Sequence, residues 1–159
     1  MISHKDMMGI IATEAIEGPT QKPTRDLGSG ASFHRGKSKQ DYDGLIYLAA
    51  PYTHHSTHVR DARFQSINKA ASVLMRRGFL IFSPISHTHP IAMAGSLPTG
   101  WDFWKRYDET VLSYCCCMIV LTLPGWQESK GVCSEIGIAK SIPIPIHYVG
   151  QESVFDFNL

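Results

Sequence analysis

The chain has 159 residues, of which 43% are hydrophobic and 18% charged, with a formal net charge of +1. That is enough for one folded domain with a short appendage, too apolar for a disordered chain, and too close to neutrality for a general nucleic-acid binder. No apolar run approaches the ~20 residues that a bilayer-spanning helix needs, so no membrane partner is expected, and the N-terminus has no apolar stretch followed by a small-residue cleavage site.

Residues 1–43 are rich in Gly, Pro, Ser, Thr and Lys and weakly periodic, with six basic and six acidic side chains. They read as an N-terminal extension or tail in which Met8 to Ile16 can form a short helix. From residue 44 the pattern changes. Leu45 to Ala50 is a continuous apolar run stopped by Pro51, the mark of a strand buried on both faces. Thr57 to Arg77 carries apolar residues at helical spacing (Val59, Ala62, Ile67, Ala70, Ala71, Leu74), with Thr57 as a possible cap and Gly78 where a C′ glycine belongs. Phe79 to Phe82 is a second strand, and a loop bearing His87, His89 and Pro90 is expected after it. Trp101 to Tyr114 follows as a helix, Met118 to Leu123 as the third strand, and Ser129 to Ala139 as a third helix. Ile142 to Val149, with Pro143 and Pro145, is a last strand expected at an edge. Residues 150–159 are expected as a C-terminal tail. The alternation predicts an α/β domain over 44–149, with a mostly parallel sheet whose central strands are 45–50 and 118–123.

In such sheets a ligand sits beyond the carboxyl ends of the strands. The polar residues just after strands fall at Pro51 to His55, Ser83 to His89 and Pro124 to Ser129. In the last of these, Ser129 and Gly131 stand where a loop becomes a helix, and the free N–H groups there favour an anion such as phosphate. Glu135 lies further into the same helix among apolar and small residues, placed for a nucleophile or base; an ordinary helix start with an acidic residue gives the same pattern. Asp108 shares a helical stripe with Trp104, Val111 and Cys115 that should face the sheet. A carboxylate there is costly unless paired or functional, and a slightly rotated stripe would leave it solvated.

His87-Thr88-His89 offers two ligands where a zinc site wants three or four, so no metal is expected; hydrogen bonding toward a ligand or loop packing suits these histidines better. The run Cys115-Cys116-Cys117 and the separate Cys133 suit free, mostly buried thiols in a reducing, cytoplasmic protein. Trp101, Trp104 and Trp126 are core or pocket wall, and Trp126 is the one expected over a base or sugar.

Together, Tyr47-Leu48-Ala49-Ala50-Pro51-Tyr52, Arg76-Arg77-Gly78, Phe82-Ser83-Pro84-Ile85, Asp108 and Gly131-Val132-x-x-Glu135-Ile136 resemble the nucleoside 2-deoxyribosyltransferase-like superfamily, which includes the 2′-deoxynucleoside 5′-monophosphate N-glycosidases. The stretch Leu123-Pro124-Gly125-Trp126-x-x-Ser129-Lys130-Gly131-Val132 is more similar to a bacterial and phage branch of uncharacterised function. The resemblance covers residues 44–149. It implies a flavodoxin-like, Rossmann-like three-layer sandwich with about five strands, assembled as a homodimer or larger, and chemistry at C1′ of a nucleoside or nucleotide without a cofactor. On the matching positions, Glu135 would attack C1′, Asp108 would protonate the leaving base, Tyr47 would restrain Glu135 beside the sugar, and Ser129 would contact phosphate. Two departures stand out. Members often carry Asp where this chain has Cys116, and Thr53, His54 and His55 stand where the N-glycosidases place an arginine near the phosphate.

Two functions follow as expectations. One is cleavage, by hydrolysis or transfer, of the N-glycosidic bond of a (deoxy)nucleoside or its 5′-monophosphate. The alternative is a nucleotide-binding or sensing module on the same fold with degenerate chemistry, which the change at position 116 favours. Retention of Tyr47, Asp108 and Glu135 together favours the enzyme.

Overall fold

The computed structural model describes residues 44–157; the expected helix at Met8 to Ile16, and the tail that carries it, lie outside them. The elements are β1 (Leu45–Ala49), α1 (Thr57–Arg76), β2 (Leu80–Phe82), α2 (Pro84–Gly95), α3 (Trp101–Leu112), β3 (Cys117–Leu121), α4 (Lys130–Ser141) and β4 (Ile146–Val149), followed by a single 3₁₀ turn, Ser153–Phe155. The sheet has four strands rather than about five, in the order β2-β1-β3-β4, and every pairing is parallel. β1 and β3 are the central pair, in the register Ile46↔Cys117 to Ala49↔Val120. Among the described residues no helix is long and apolar enough to cross a membrane.

Strand side chains alternate between faces, and that alternation builds two cores. Ile46 and Leu48 of β1 join Ile119 and Leu121 of β3 against Ile67, Ala71 and Leu74 of α1. Tyr47 and Ala49 join Met118 and Val120 on the other face, against Leu112 of α3 and Val132 and Ala139 of α4. Both central strands are therefore apolar throughout, and the domain is a three-layer α/β sandwich.

Local signals explain most boundaries. At the end of α1, Gly78 takes φ +92°, its N–H donates to the Met75 carbonyl at 2.9 Å, and the Phe79 N–H reaches back to the Leu74 carbonyl at 3.2 Å. That is a Schellman closure, and its positive φ requires the glycine.

Three expectations are corrected. The segment after β2 is a helix, not a loop: Ser83 caps it by accepting from the Ser86 N–H at 3.3 Å, and Pro84 occupies the first turn, where its missing N–H costs nothing. Pro90, which argued for a loop, is accommodated inside that helix. The last strand is short because the prolines precede it; the Pro145 carbonyl accepts from the Met118 N–H at 2.9 Å, and pairing begins only at Ile146. Ile142, Ile144 and Ile146 are partly buried and pack against the second core. Finally, residues 150–157 are not a free tail, since Val154 is fully buried in the first core and Phe157 packs on it.

Candidate active site

The strand order changes direction at β1. From β1 the chain crosses to β2 on one side, while β3 lies on the other and leads on to β4. At such a switch point the loops leaving neighbouring strands part and open a crevice at their carboxyl ends. A cleft of about 410 Å³ lies there, within the usual size of small-molecule sites. Its walls are Ala50 to Thr53 after β1, without Pro51; the first turns of α2 about Pro84 and Ile85; one face of α3 carrying Trp101, Trp104 and Asp108; and the start of α4, Ser129 to Val132 with Glu135 one turn on.

Glu135 and Asp108 are both in this lining, on the same side of the sheet, and are 5% and 6% exposed. Each arrives by helical spacing. Asp108 is one turn beyond Trp104 on α3, and Glu135 is one turn before Ala139, which packs α4 onto the sheet. Tyr47 is wholly buried beneath them. Its hydroxyl donates to Glu135 Oε1 at 2.8 Å, so it holds the carboxylate from below and does not itself line the cleft. Asp108 Oδ1 is buried with no hydrogen-bond partner.

The electrostatics follow from that burial. Desolvation, then the nearby Asp108 charge, push the Glu135 carboxyl up to about 8, against a smaller downward pull from the Tyr47 hydroxyl. Desolvation pushes Asp108 up to about 7. Burial and the neighbouring carboxylates raise the Tyr47 phenol well above its ordinary value, so it remains a donor. Both carboxyls are raised because both are enclosed by the same walls, and near neutrality the pair retains a proton.

The α4 start is built as expected. Ser129 caps it, its Oγ accepting from the Val132 N–H at 3.4 Å, and Ser129 and Gly131 line the cleft. Gly131 faces Trp101, where an added Cβ would lie 3.7 Å from the ring. The remaining residues singled out from the sequence fall elsewhere. Pro51 is buried behind the wall. Trp126 is not over the cleft: it packs on Tyr148, 5.4 Å between ring centroids, and on the second core. His87 is exposed and stacked on Tyr107 at 5.6 Å, outside the lining. His89 is a packing histidine, stacked on Phe64 at 4.1 Å and hydrogen-bonded through Nδ1 to the Tyr52 hydroxyl at 2.6 Å. Among the described residues no three His, Cys, Asp or Glu side chains are grouped to hold a metal ion.

Cys116 precedes β3, at the opposite end of that strand from the cleft. It packs against Gly44, where an added Cβ would lie 3.0 Å from the Cys116 Cβ. The change at position 116 is therefore remote from the carboxylates and carries no argument against chemistry. The loop after β1 has no arginine of its own, but α1 supplies two from behind. Arg60 Nη1 donates to the His54 carbonyl at 2.6 Å, and Arg63 donates to the Thr53 carbonyl at 3.0 Å and to the Pro124 carbonyl at 2.9 Å. Arg63 thus ties the loop after β1 to the loop after β3, beside Gly125 at φ +83°. The sequence reading did not single out Asp102 and Lys130 as site residues, although both line the cleft. The one available signal was their position at helix starts.

A family model described as a domain of unknown function (DUF1937) matches residues 44–150. No curated protein matches the chain.

Proposed function

The chain belongs to the DUF1937 family, and we propose that its domain cleaves the N-glycosidic bond of a (deoxy)nucleoside or its 5′-monophosphate through a glycosyl-enzyme intermediate on Glu135. The observation that carries this reading is the buried pair of carboxyls, Glu135 on a tyrosine hydroxyl and Asp108 with an unpartnered oxygen, opening together into one cleft. Two enclosed carboxyls sharing protons form the arrangement that double-displacement glycosidic chemistry needs. The resemblance to nucleoside 2-deoxyribosyltransferases and 5′-monophosphate N-glycosidases supplies the substrate class.

In the first step a Glu135 oxygen attacks C1′. The C1′–N bond breaks, and its electron pair leaves with the base, which takes a proton from Asp108. The pair's proton is drawn to Asp108 when a basic ring nitrogen approaches it, leaving Glu135 ionised and held by Tyr47. In the second step water, or another nucleobase, attacks C1′ and gives its proton to Asp108, and the ester bond to Glu135 breaks. Asp108 is thereby reset as the acid and Glu135 as the nucleophile.

The test is incubation with a panel of nucleosides and 5′-monophosphates, following free base by chromatography, for the wild type and Glu135→Gln. Release of base by the wild type, reduced several orders of magnitude in Glu135→Gln, is the expected result. Full activity in Glu135→Gln refutes the mechanism. Tight nucleotide binding without base release by the wild type selects the binding module instead.

A further inference from the structure

His89 takes no part in this chemistry, yet its ring is held from two sides. It sits on α2 one turn beyond Ile85, which packs into the first core. Phe64 of α1 covers the face of the ring, with centroids 4.1 Å apart and planes 22° apart. Tyr52 meets its edge at 84°, and the Tyr52 oxygen lies 2.6 Å from Nδ1. The outer torsion of a histidine is ordinarily broad; these two contacts leave this one a single orientation.

The Tyr52 hydroxyl has a second partner. Burial raises the phenol above its ordinary value, and the Arg60 guanidinium of α1 pulls against that by its charge and by a hydrogen bond to the hydroxyl. A guanidinium only donates. The Tyr52 oxygen therefore accepts from Arg60, and its own proton goes to His89 Nδ1, which places the hydrogen of the imidazole on Nε2. The backbone of the same loop is tied to α1 as well. Arg60 Nη1 donates to the His54 carbonyl at 2.6 Å, and Arg63 Nη1 to the Thr53 carbonyl at 3.0 Å. Helix α1 thus fixes the backbone of this wall, while the Tyr52 side chain spans from α1 to α2 and ends on His89. Tyr52 and Thr88 line the cleft, and His89 lies just outside it.

We propose that His89 is a positioning residue for the cleft: by taking the Tyr52 hydroxyl proton, it fixes the Tyr52 side chain in the wall and forms the pocket before a ligand arrives. A wall ordered in advance need not be ordered on binding, which strengthens association. Losing the contact weakens binding and leaves the reacting groups as they were, because Glu135 is held separately by Tyr47. The effect on turnover rests on the glycosidic reading; the fixed wall does not.

The test compares the full chain with Tyr52→Phe, His89→Leu and His89→Asn. Asparagine is the conservative replacement, since its Oδ1 stands near the place of Nδ1 and accepts from Tyr52. Carbon NMR relaxation of the ring at position 52 reads the wall without any ligand. Steady-state base release from the nucleoside and 5′-monophosphate panel separates KM from kcat. In Tyr52→Phe and His89→Leu the ring order parameter is expected to fall below about 0.6, the flexible range, while His89→Asn keeps the wild-type value. KM should rise about tenfold in the first two, the worth of one hydrogen bond, with kcat within about threefold, and His89→Asn should stay within about threefold of wild type in both. The double variant Tyr52→Phe/His89→Leu should be no worse than the worse single one, because both remove the same contact. A ring equally rigid in all variants, additive losses in the double variant, or His89→Asn as impaired as His89→Leu overturns the positioning role. If the wild type releases no base, the glycosidic reading falls and the ring order alone decides for or against His89. Base release with KM and ring order indifferent to all three substitutions keeps the glycosidic reading and rejects the positioning role.

Discussion

Glu135→Gln should make the protein more stable at alkaline pH while removing the nucleophile of the proposed reaction. The Glu135 carboxyl rises from an ordinary value of 4.5 to about 8, chiefly because burial penalises its ionised form. A folded-state value above the unfolded one means that the fold prefers the protonated group. Its contribution to stability is whole below about pH 4.5, falls as the pH rises, and is lost above about pH 8. At ~1.4 kcal/mol per pH unit, that interval sets an upper bound of about 5 kcal/mol. Water entering the cleft lowers it, and about 2–3 kcal/mol is the expected gain for a neutral side chain at pH 8.5. Glutamine is the right probe because its carbonyl still accepts from Tyr47, whose hydroxyl lies 2.8 Å from Oε1, and its volume is the same. Urea denaturation at pH 5 and pH 8.5 measures the effect. The variant should exceed the wild type by about 2–3 kcal/mol at pH 8.5, and the gap should fall below about 1 kcal/mol at pH 5. A variant that is less stable at pH 8.5, or a gap of equal size at both pH values, would refute the claim that Glu135 is held desolvated.

Three further outcomes are expected. Asp108→Asn should lower kcat about 10²–10⁴-fold, the range of general acid catalysis, with the smallest loss on substrates whose base leaves easily; steady-state rates on two leaving groups check this, and an equal loss on both argues against an acid role. Tyr47→Phe removes the one interaction that pulls Glu135 downward, so the limb of the kcat/KM profile that reports its ionisation should move to higher pH, and a pH–rate series showing no displacement would remove Tyr47 from the mechanism. Gly125→Ala should destabilise the domain by about 1–3 kcal/mol, because the residue has φ +83° and an added Cβ would lie 3.1 Å from Arg63 Nη2; an unchanged urea midpoint would show that the Arg63 tie is not needed.

Periodicity in the sequence was sufficient for the sandwich. The unbroken apolar runs from Leu45 and Met118 could only be strands buried on both faces, and they are the two central parallel strands. Gly78 could be read as a helix stop because a positive φ has a single cheap solution. Glu135 and Asp108 were legible as candidates because a carboxylate on an apolar stripe contradicts its surroundings, a conflict visible in one dimension. What lay beyond the sequence was set by groups distant along the chain. Helix α2 was hidden because Pro90 and the histidines argued for a loop, while the Ser83 cap and the packing of Ile85 into the core decided otherwise. Trp126 carried the composition of a ligand-stacking residue, yet Tyr148, on a strand beyond α4, takes its ring. Position 116 looked threatening until the strand direction put it at the end of β3 away from the cleft. The raised values of both carboxyls and the ion pair between Lys130 and Asp102 are likewise properties of enclosure and proximity. Desolvation and Coulomb attraction depend on distances in space, and spacing along the chain encodes those only within a single helix or strand.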